Sequence, residues 1–487
     1  MAMRVGAKYQ HLVADAPCAC CDPRLGAFTA RANADLSRRG FFMGAAVAGL
    51  SLVGAATPAR AQKTQPTAAI FENVRVFDSA SGKLTGPSNV LIVGNLIKKI
   101  SLDPIDAPDD AKLIKVKGGG RTLIPGLIDA HTHIMFASVS QLAVLTADIG
   151  FVNVAAVKEA RETLMRGFTS IRDMGGPSFG LKRGIDAGLA QGPRIWPSGA
   201  FISQSGGHGD FRLPNDFPSR PGDFTYSERV DAAQIADDPD TVRKRTREQL
   251  ALGASQIKLM AGGGVSSNYD PLDVTQYTEP ELRAAVEAAE NWGTYVAVHA
   301  YTPRAVRQAI AAGVKSIEHG HLLDEPTVAL MAEKGSWWSL QPFLDDQDAT
   351  PFPAGSANRK KQLQMVSGTD NAYKLAKQYK LKTAWGTDTL FDAKVSARQG
   401  AQLSKLTRWY TPAEILKMAT VDNAELLAMS GLRSPYEGKL GVVEEGALAD
   451  LLLVDGDPTQ DISLIETPEK SFLAIMKDGV FYKNVAA

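Results

Sequence analysis

Thr122-Leu123-Ile124-Pro125-Gly126-Leu127-Ile128-Asp129-Ala130-His131-Thr132-His133 is an apolar run that closes on two histidines one residue apart. Residues two apart in an extended strand share a face, so both imidazoles can reach one ion. Alone the pair says little, because a strand-end histidine is more often a satisfied structural residue. Its weight comes from the 250 or so residues on its C-terminal side.

In that stretch strands and helices alternate. Thr122-Leu123-Ile124, Thr169-Ser170-Ile171-Arg172, Arg194-Ile195-Trp196, Gln256-Ile257-Lys258-Leu259, Tyr295-Val296-Ala297-Val298, Lys315-Ser316-Ile317, Trp337-Trp338-Ser339-Leu340 and Lys382-Thr383-Ala384-Trp385 read as eight strands. Helix start signals stand between them. Thr278-Glu279-Pro280-Glu281 is a capping box with proline in the first turn, which predicts a helix over 279–292. Thr302-Pro303 opens another over 303–312, and Gly313 closes it. Eight strand–helix units predict an α/β fold, a (β/α)8 TIM barrel, whose catalytic groups stand where strands end and loops begin.

Six histidines lie beyond residue 61: His131, His133, His208, His299, His319 and His321. The first five stand near a predicted strand end or in the loop after it. His299 closes Val296-Ala297-Val298, His319 comes directly after Ile317-Glu318, and Asp388 ends Trp385-Gly386-Thr387-Asp388. Lys258 lies inside the apolar strand Ile257 to Met260, ahead of Ala261-Gly262-Gly263-Gly264. Facing a barrel interior it is a costly buried cation, and desolvation lowers its pKa toward a neutral amine. Such an amine can take up carbon dioxide as a carbamate that bridges two metals. A lysine whose head snorkels to solvent fits the strand equally well. Imidazole and carboxylate donors without thiolate suit Zn, Mn, Co or Ni.

On either side the style changes. Short strand-like runs between Ala69 and Ile100 match others at Leu451–Val454 and Ala474–Phe481. They predict one small β-sandwich built from both terminal segments, 62–125 and 433–487, around a barrel of 126–432. Ahead of it, Ser37-Arg38-Arg39-Gly40-Phe41-Phe42 precedes an apolar run of 14 residues, Met43 to Ala56, and then Pro58-Ala59-Arg60-Ala61. The run is shorter than the ~20 residues of a spanning helix. Residues 1–61 resemble a twin-arginine signal peptide cut after Ala61, which implies export, already folded, to the periplasm or beyond.

Lys plus Arg is 53 and Asp plus Glu is 53, so no charge excess points to nucleic acid or an anionic membrane. Hydrophobic residues at 44% and charged residues at 22% are ordinary globular composition. Without 1–61 the chain has a net charge of −4 and loses Cys18, Cys20 and Cys21, its three cysteines. The remainder can form neither a disulfide nor a thiolate metal site.

Pro125 to His133, Lys258, His299, His319 and Gly386-Thr387-Asp388 together resemble the binuclear, metal-dependent branch of the amidohydrolase superfamily. Asn73 to Asp78 with Leu91-Ile92-Val93, and Gly438 to Asp450, resemble that family's opening and closing strands, so the resemblance covers 68–485. Gly206-Gly207-His208-Gly209-Asp210, Lys258 to Ser266 and His299-Ala300-Tyr301-Thr302 are similar to one subgroup. It holds imidazolonepropionase-like proteins, Xaa-Pro dipeptidases and ochratoxin-hydrolysing amidases.

The resemblance implies that His131, His133 and Asp388 hold one divalent ion, zinc first, and His299 and His319 a second. Carbamylated Lys258 bridges them, a hydroxide between the ions attacks, and Asp388 carries the proton to the leaving amine. His208 and Tyr301 contact substrate, with His208 the next candidate for acid–base work. Trp196, Phe201, Trp337, Trp338 and Phe343 are candidates for an apolar pocket. The implied partners are a small molecule or dipeptide and, in the subgroup's manner, a homo-oligomer, often an octamer. The implied reaction is release of a C-terminal L-amino acid from a dipeptide or N-acyl amino acid, ochratoxin A among them. A cyclic-amide hydrolase like imidazolonepropionase is the alternative, and a non-enzymatic periplasmic metal-binding protein a remote one.

Overall fold

The computed structural model describes residues 67–106, 108, 112–217, 220 and 223–486. The signal segment expected over 1–61, with its cysteines, lies outside the described residues. Residues 67–182 and 191–486 belong to one unit; residues 183–190, the end of helix Phe179–Asp186 and the turn after it, belong to another.

Five strands precede the His-x-His motif: β1 (Thr67–Asp78), β2 (Lys83–Val93), β3 (Leu96–Ser101), β4 (Lys112–Lys117) and β5 (Thr122–Pro125). Ten shorter strands come next. They are β6 (Leu127–Thr132), β7 (Phe168–Asp173), β8 (Arg194–Pro197), β9 (Phe201–Ser203) and β10 (Ala233–Ile235). After these come β11 (Ile257–Met260), β12 (Val296–Ala300), β13 (Ser316–His319), β14 (Trp337–Leu340) and β15 (Thr383–Trp385). β16 (Leu451–Val454), β17 (Phe472–Lys477) and β18 (Val480–Asn484) end the series.

The two terminal sets pair, as expected, in one eight-stranded sheet of order β18-β17-β16-β5-β1-β2-β3, with β4 beside β1. Hydrogen bonding gathers them into a single sheet, and among the described residues they form no second sheet of a sandwich. Strand periodicity explains how this sheet serves two cores. Leu123, Leu451 and Leu453 pack with Phe71, Val90 and Ile92, whereas Ile124, Leu452 and Val454 turn into the main core.

One expected strand changes place. Thr122-Leu123-Ile124 does not start the alternating part: β5 pairs antiparallel with β16 and parallel with β1. The division falls at Gly126, where the Thr169 side chain fills the space a Cβ would need, only 2.1 Å away. The first strand of the alternating part is β6.

β6 to β15 pair only in parallel, in a seven-stranded sheet of order β10-β9-β11-β12-β13-β14-β15 and a three-stranded sheet β6-β7-β8. The ladder expected to close as one ring is interrupted at two seams, and β9 and β10 are additions to the expected eight. Side-chain amides take over where the ladder stops. Between β8 and β11, Gln256 Nε2 donates to Asp173 O at 3.1 Å and Trp196 O at 2.9 Å. Between β15 and β6, Asn423 Oδ1 accepts from Trp385 N at 3.1 Å, and its Nδ2 donates to Ile128 O at 2.7 Å and Trp385 O at 2.9 Å.

The helices begin where their caps announce them. Thr278 N and Oγ1 both donate to Glu281, and the helix runs Glu279–Asn291. The next runs Pro303–Ala311, with Gly313 behind it at φ +99°. Val286 and Ala289 of the first pack with Val306 of the second against Ile257, Leu259, Val296, Val298 and Ile317. The strand positions between those, Lys258, Ala297, His299 and Glu318, are thereby turned to the opposite face. Among the described residues no helix is long and apolar enough to cross a membrane.

Candidate metal centre

Three of the expected histidines, His131, His133 and His319, meet Asp388 at the ends of β6, β13 and β15, and His299 at the end of β12 joins them through His319. Asp388 Oδ1 lies 3.2 Å from His131 Nε2 and 3.2 Å from His133 Nε2. Atoms of His131, His319 and Asp388 lie within 4.8 Å of one another. The His299 ring is centred 4.5 Å from that of His319. Two of these residues reach their places through left-handed backbone, His319 at φ +74° and Asp388 at φ +51°. Such conformations cost free energy in residues other than glycine and collect at functional sites.

The second nitrogen of each ring decides what the first can do. His131 Nδ1 donates to Glu318 Oε2 at 2.8 Å and His133 Nδ1 to Gly175 O at 3.1 Å. His319 Nδ1 donates to Gln341 Oε1 at 2.6 Å, and His299 Nε2 to Gly263 O at 3.1 Å. Burial lowers the pKa of His133, and of His299 and His319 far more, so these rings are neutral and their other nitrogens are bare lone pairs. His131 Nε2 is buried with no hydrogen-bond partner. Burial raises the Asp388 pKa, but the neighbouring His131, with His133 and His319, outweighs it and holds the carboxyl well below its ordinary range. The His133 lone pair therefore faces a carboxylate 3.2 Å away without a proton between them. The arrangement is repulsive until a cation stands among them, and nitrogen with carboxylate oxygen is the donor set of divalent ions such as zinc.

Lys258 is buried beside this cluster, with no hydrogen bond or ion pair among the described residues. Burial pulls its pKa down to about 8, against the pull of Glu318 and Asp388, with Arg172 adding to the fall. A substantial neutral fraction at mildly alkaline pH is what carbamate formation needs. The solvent-snorkelling alternative for Lys258 is excluded by its burial.

Residues that the motifs do not single out hold the cluster in place. Glu318 accepts from Ser316 Oγ at 2.7 Å and from Arg172 Nη2 at 2.7 and 2.9 Å, besides His131. Burial raises its pKa, and Arg172 with His131 overcomes this, so it too stays well below its ordinary value. Asp129 accepts from His131 N, Thr387 N, Thr387 Oγ1 and Gln399 Nε2, all between 2.9 and 3.1 Å. It thus ties the loop carrying Asp388 to the strand carrying His131. The reasoning that singled out Lys258, a charge within an apolar strand, applies equally to Arg172 and Glu318.

His208 stacks on His299 with ring centroids 4.0 Å apart, and its Nδ1 lies 2.8 Å from Ser267 Oγ. Tyr301 meets His299 edge-on at 5.0 Å. His321 is buried against Phe343, its ring 5.2 Å away, and donates from Nε2 to Gln341 O. The expected aromatic wall divides. Phe343 also stacks near His319, and Phe201 lies where a Cβ on Gly175 would touch both it and His133. Trp196, Trp337 and Trp338 belong to core clusters instead, because their strand positions face the packing.

The amidohydrolase family profile matches residues 122–482. Ochratoxinase of Aspergillus niger is 31% identical over 401 residues, 74% of this chain and 76% of that protein. A solved prolidase complexed with N-methylphosphonate-L-proline is 34% identical, with a TM-score of 0.77 over 86% of this chain and 100% of that one. A solved Xaa-Pro dipeptidase with bound methionine in its active site is 27% identical, with a TM-score of 0.73 over 86% and 100%. The family implies a divalent metal and hydrolysis of amide bonds, and the bare nitrogens around Asp388 are suited to hold the metal. A match of this extent, on an α/β fold that gathers such donors at its strand ends, means that the chain belongs to the amidohydrolase family.

Proposed function

We propose that the protein releases a C-terminal L-amino acid from dipeptides or N-acyl amino acids, ochratoxin A among them, using two divalent ions, zinc first. The approach of His131, His133 and His319 to Asp388, with His299 against His319 and buried Lys258 beside them, carries this reading. The names of the relatives support it, since ochratoxinase, prolidase and Xaa-Pro dipeptidase all denote amide hydrolases. In this reading His131, His133 and Asp388 would hold one ion and His299 and His319 the other, with Lys258, as a carbamate, supplying a further carboxylate. The two parallel sheets are then the parts of one (β/α)8 barrel, flanked by the sheet of the terminal segments.

Divalent ions bound here would supply Lewis acidity and bring the pKa of water toward ~7. The chain's own groups do the rest. Lys258 as neutral amine adds carbon dioxide and releases one proton, leaving a carboxylate in place of a cation. Asp388, ionised throughout the neutral range, accepts the proton of the attacking water and delivers it to the leaving nitrogen. His208 and Tyr301, packed on His299, orient the substrate carbonyl and its neighbouring carboxylate. A cyclic-amide hydrolase has no need of a buried bridging lysine, which disfavours that alternative. We further propose export through residues 1–61 and assembly as a homo-oligomer, on the twin-arginine motif and the resemblance respectively.

The test compares an N-aroyl-L-phenylalanine with its C-terminal amide and its D-enantiomer. Both variants are expected to lose kcat/KM by more than about tenfold, the effect of leaving a buried donor unpaired. Equal turnover of all three overturns the carboxylate-directed reading.

A further inference from the structure

The helix Ala357–Val366 lies against the loop after β11. Asn358 Nδ2 donates to Val265 O at 2.7 Å and Ser267 O at 3.1 Å. Lys361 Nζ donates to Ser267 O at 2.7 Å and Asp270 O at 3.2 Å. Ser267 in turn meets His208 through its hydroxyl, and His208 stacks on His299. His208 is pressed close to this loop, for a Cβ on Gly264 would fall 1.9 Å from its ring. Met365 of the same helix packs with Tyr301 and Leu272, and Phe343 adjoins them. One helix thus faces both residues expected to touch substrate.

Lys361 differs from the other cations nearby. Arg359 is paired with Asp345, Arg398 with Asp348, and Lys405 with Asp346 and Asp348. No carboxylate lies within ion-pair distance of Lys361 among the described residues; its bonds go to two backbone carbonyls. The Asp270 carboxylate is engaged instead by Gly264 N and Gln276 Nε2. An ammonium has three N–H donors, so one is left on a half-buried cation a single residue from the His208 ring.

We propose that Lys361 is the specificity-determining residue that receives the α-carboxylate of the substrate's C-terminal amino acid. This rests on the function proposed above. It adds the counter-charge that reading lacks, since His208 and Tyr301 are neutral donors. The apolar group formed by Leu272, Tyr301, Phe343 and Met365, the last one helical turn after Lys361, suits the side chain of the same amino acid.

Lys361→Met keeps the aliphatic stem and removes the charge; Lys361→Arg keeps the charge. Each is assayed on N-benzoyl-L-phenylalanine and on its C-terminal amide, with bound metal measured in every sample. Lys361→Met is expected to lower kcat/KM on the acid by roughly tenfold or more, chiefly through KM, and to leave the amide within about twofold. Lys361→Arg is expected to recover part of the preference for the acid. Competitive inhibition by free L-phenylalanine should weaken in parallel. An equal fall on both substrates makes Lys361 a loop clamp and overturns the proposal, as does no fall on either. Should Lys361→Met fail to fold, Lys361→Gln takes its place with the same criteria. A wild-type enzyme that does not distinguish acid from amide overturns the proposed function itself, a result separate from either outcome in the variants.

Discussion

His131 can serve a cation only in one of its two tautomers, and Glu318 selects it. The carboxylate has every oxygen engaged, by Arg172, Ser316 and His131, and all of these groups are buried. Glu318→Gln keeps an acceptor but loses the charge that makes His131 a strong donor of electron density. Divalent-ion affinity is expected to fall roughly 10- to 100-fold, the usual effect of removing such a partner. Arg172 would be left as an uncompensated buried charge, so the metal-free protein should also lose about 3–5 kcal/mol of stability. The double variant Glu318→Gln with Arg172→Gln removes that charge and separates the effects. Stability should return while metal affinity stays low, as read by chelator competition and urea unfolding. Wild-type affinity in the double variant would assign Glu318 to stability alone. The histidines of the cluster and Asp388 were legible in sequence because residue type and motif spacing announce them. Glu318 and Arg172 carried the same signal as Lys258, a charge within an apolar strand, but neither their pairing nor the place of Lys361 was legible, because the partners lie far along the chain. No residue type reports a tautomer or the left-handed backbone of His319 and Asp388.

At the scale of elements, local signals worked where the cause is local. The capping box at Thr278 and the glycine at 313 placed two helices, since a helix end is decided within one turn. Strand existence was equally readable through most of the alternating part, apart from the shifted start at β6, but not for the three-residue β9 and β10. Pairing was not readable. Ile124 and Ile128 are similar apolar residues, yet β5 joins the terminal sheet and β6 the parallel one, across a glycine crowded by Thr169. The seams are similarly invisible, because Asn423 reaches β6 from 295 residues away in sequence. It stands just after a π-helical turn, Met418–Asp422, and is fully buried. Asn423→Ala would strand one buried N–H and two carbonyl contacts at once. The expected cost is roughly 3 kcal/mol, from about 1–3 kcal/mol for each group left unsatisfied. Gln256→Ala, with two such contacts, should cost less. Urea midpoints at unchanged slope measure both. An Asn423→Ala protein within about 0.5 kcal/mol of wild type would show that the β15–β6 seam is held by packing rather than by the amide.

For the whole molecule, the centre is an excess of acceptors. Asp129 and Glu318 are carboxylates buried with four histidines, and Asp388 stands largely buried beside them, against Arg172 and a Lys258 whose charge burial weakens. Burial alone pushes the Asp129 pKa up, even though four donors oppose it. A fold that concentrates negative charge and lone pairs in this way is incomplete energetically until cations enter. A ligand that binds the folded chain and not the unfolded one adds stability by mass action, about 4 kcal/mol at a thousand times its Kd. Stripping the protein with a chelator should therefore lower Tm by several degrees, and zinc added back should restore it. Lys258→Ala, which cannot form the carbamate, should gain less on adding zinc and lose activity with the metal. Acetate or propionate should return part of both by supplying the missing carboxylate. The three measurements constrain one another, because Tm reads occupancy without requiring turnover. A chelated wild type with unchanged Tm would mean that the buried acceptors are already satisfied in the metal-free fold. Full zinc response and full activity in Lys258→Ala without any added acid would remove the carbamate, and leave Lys258 as a buried amine with no part in holding the ions.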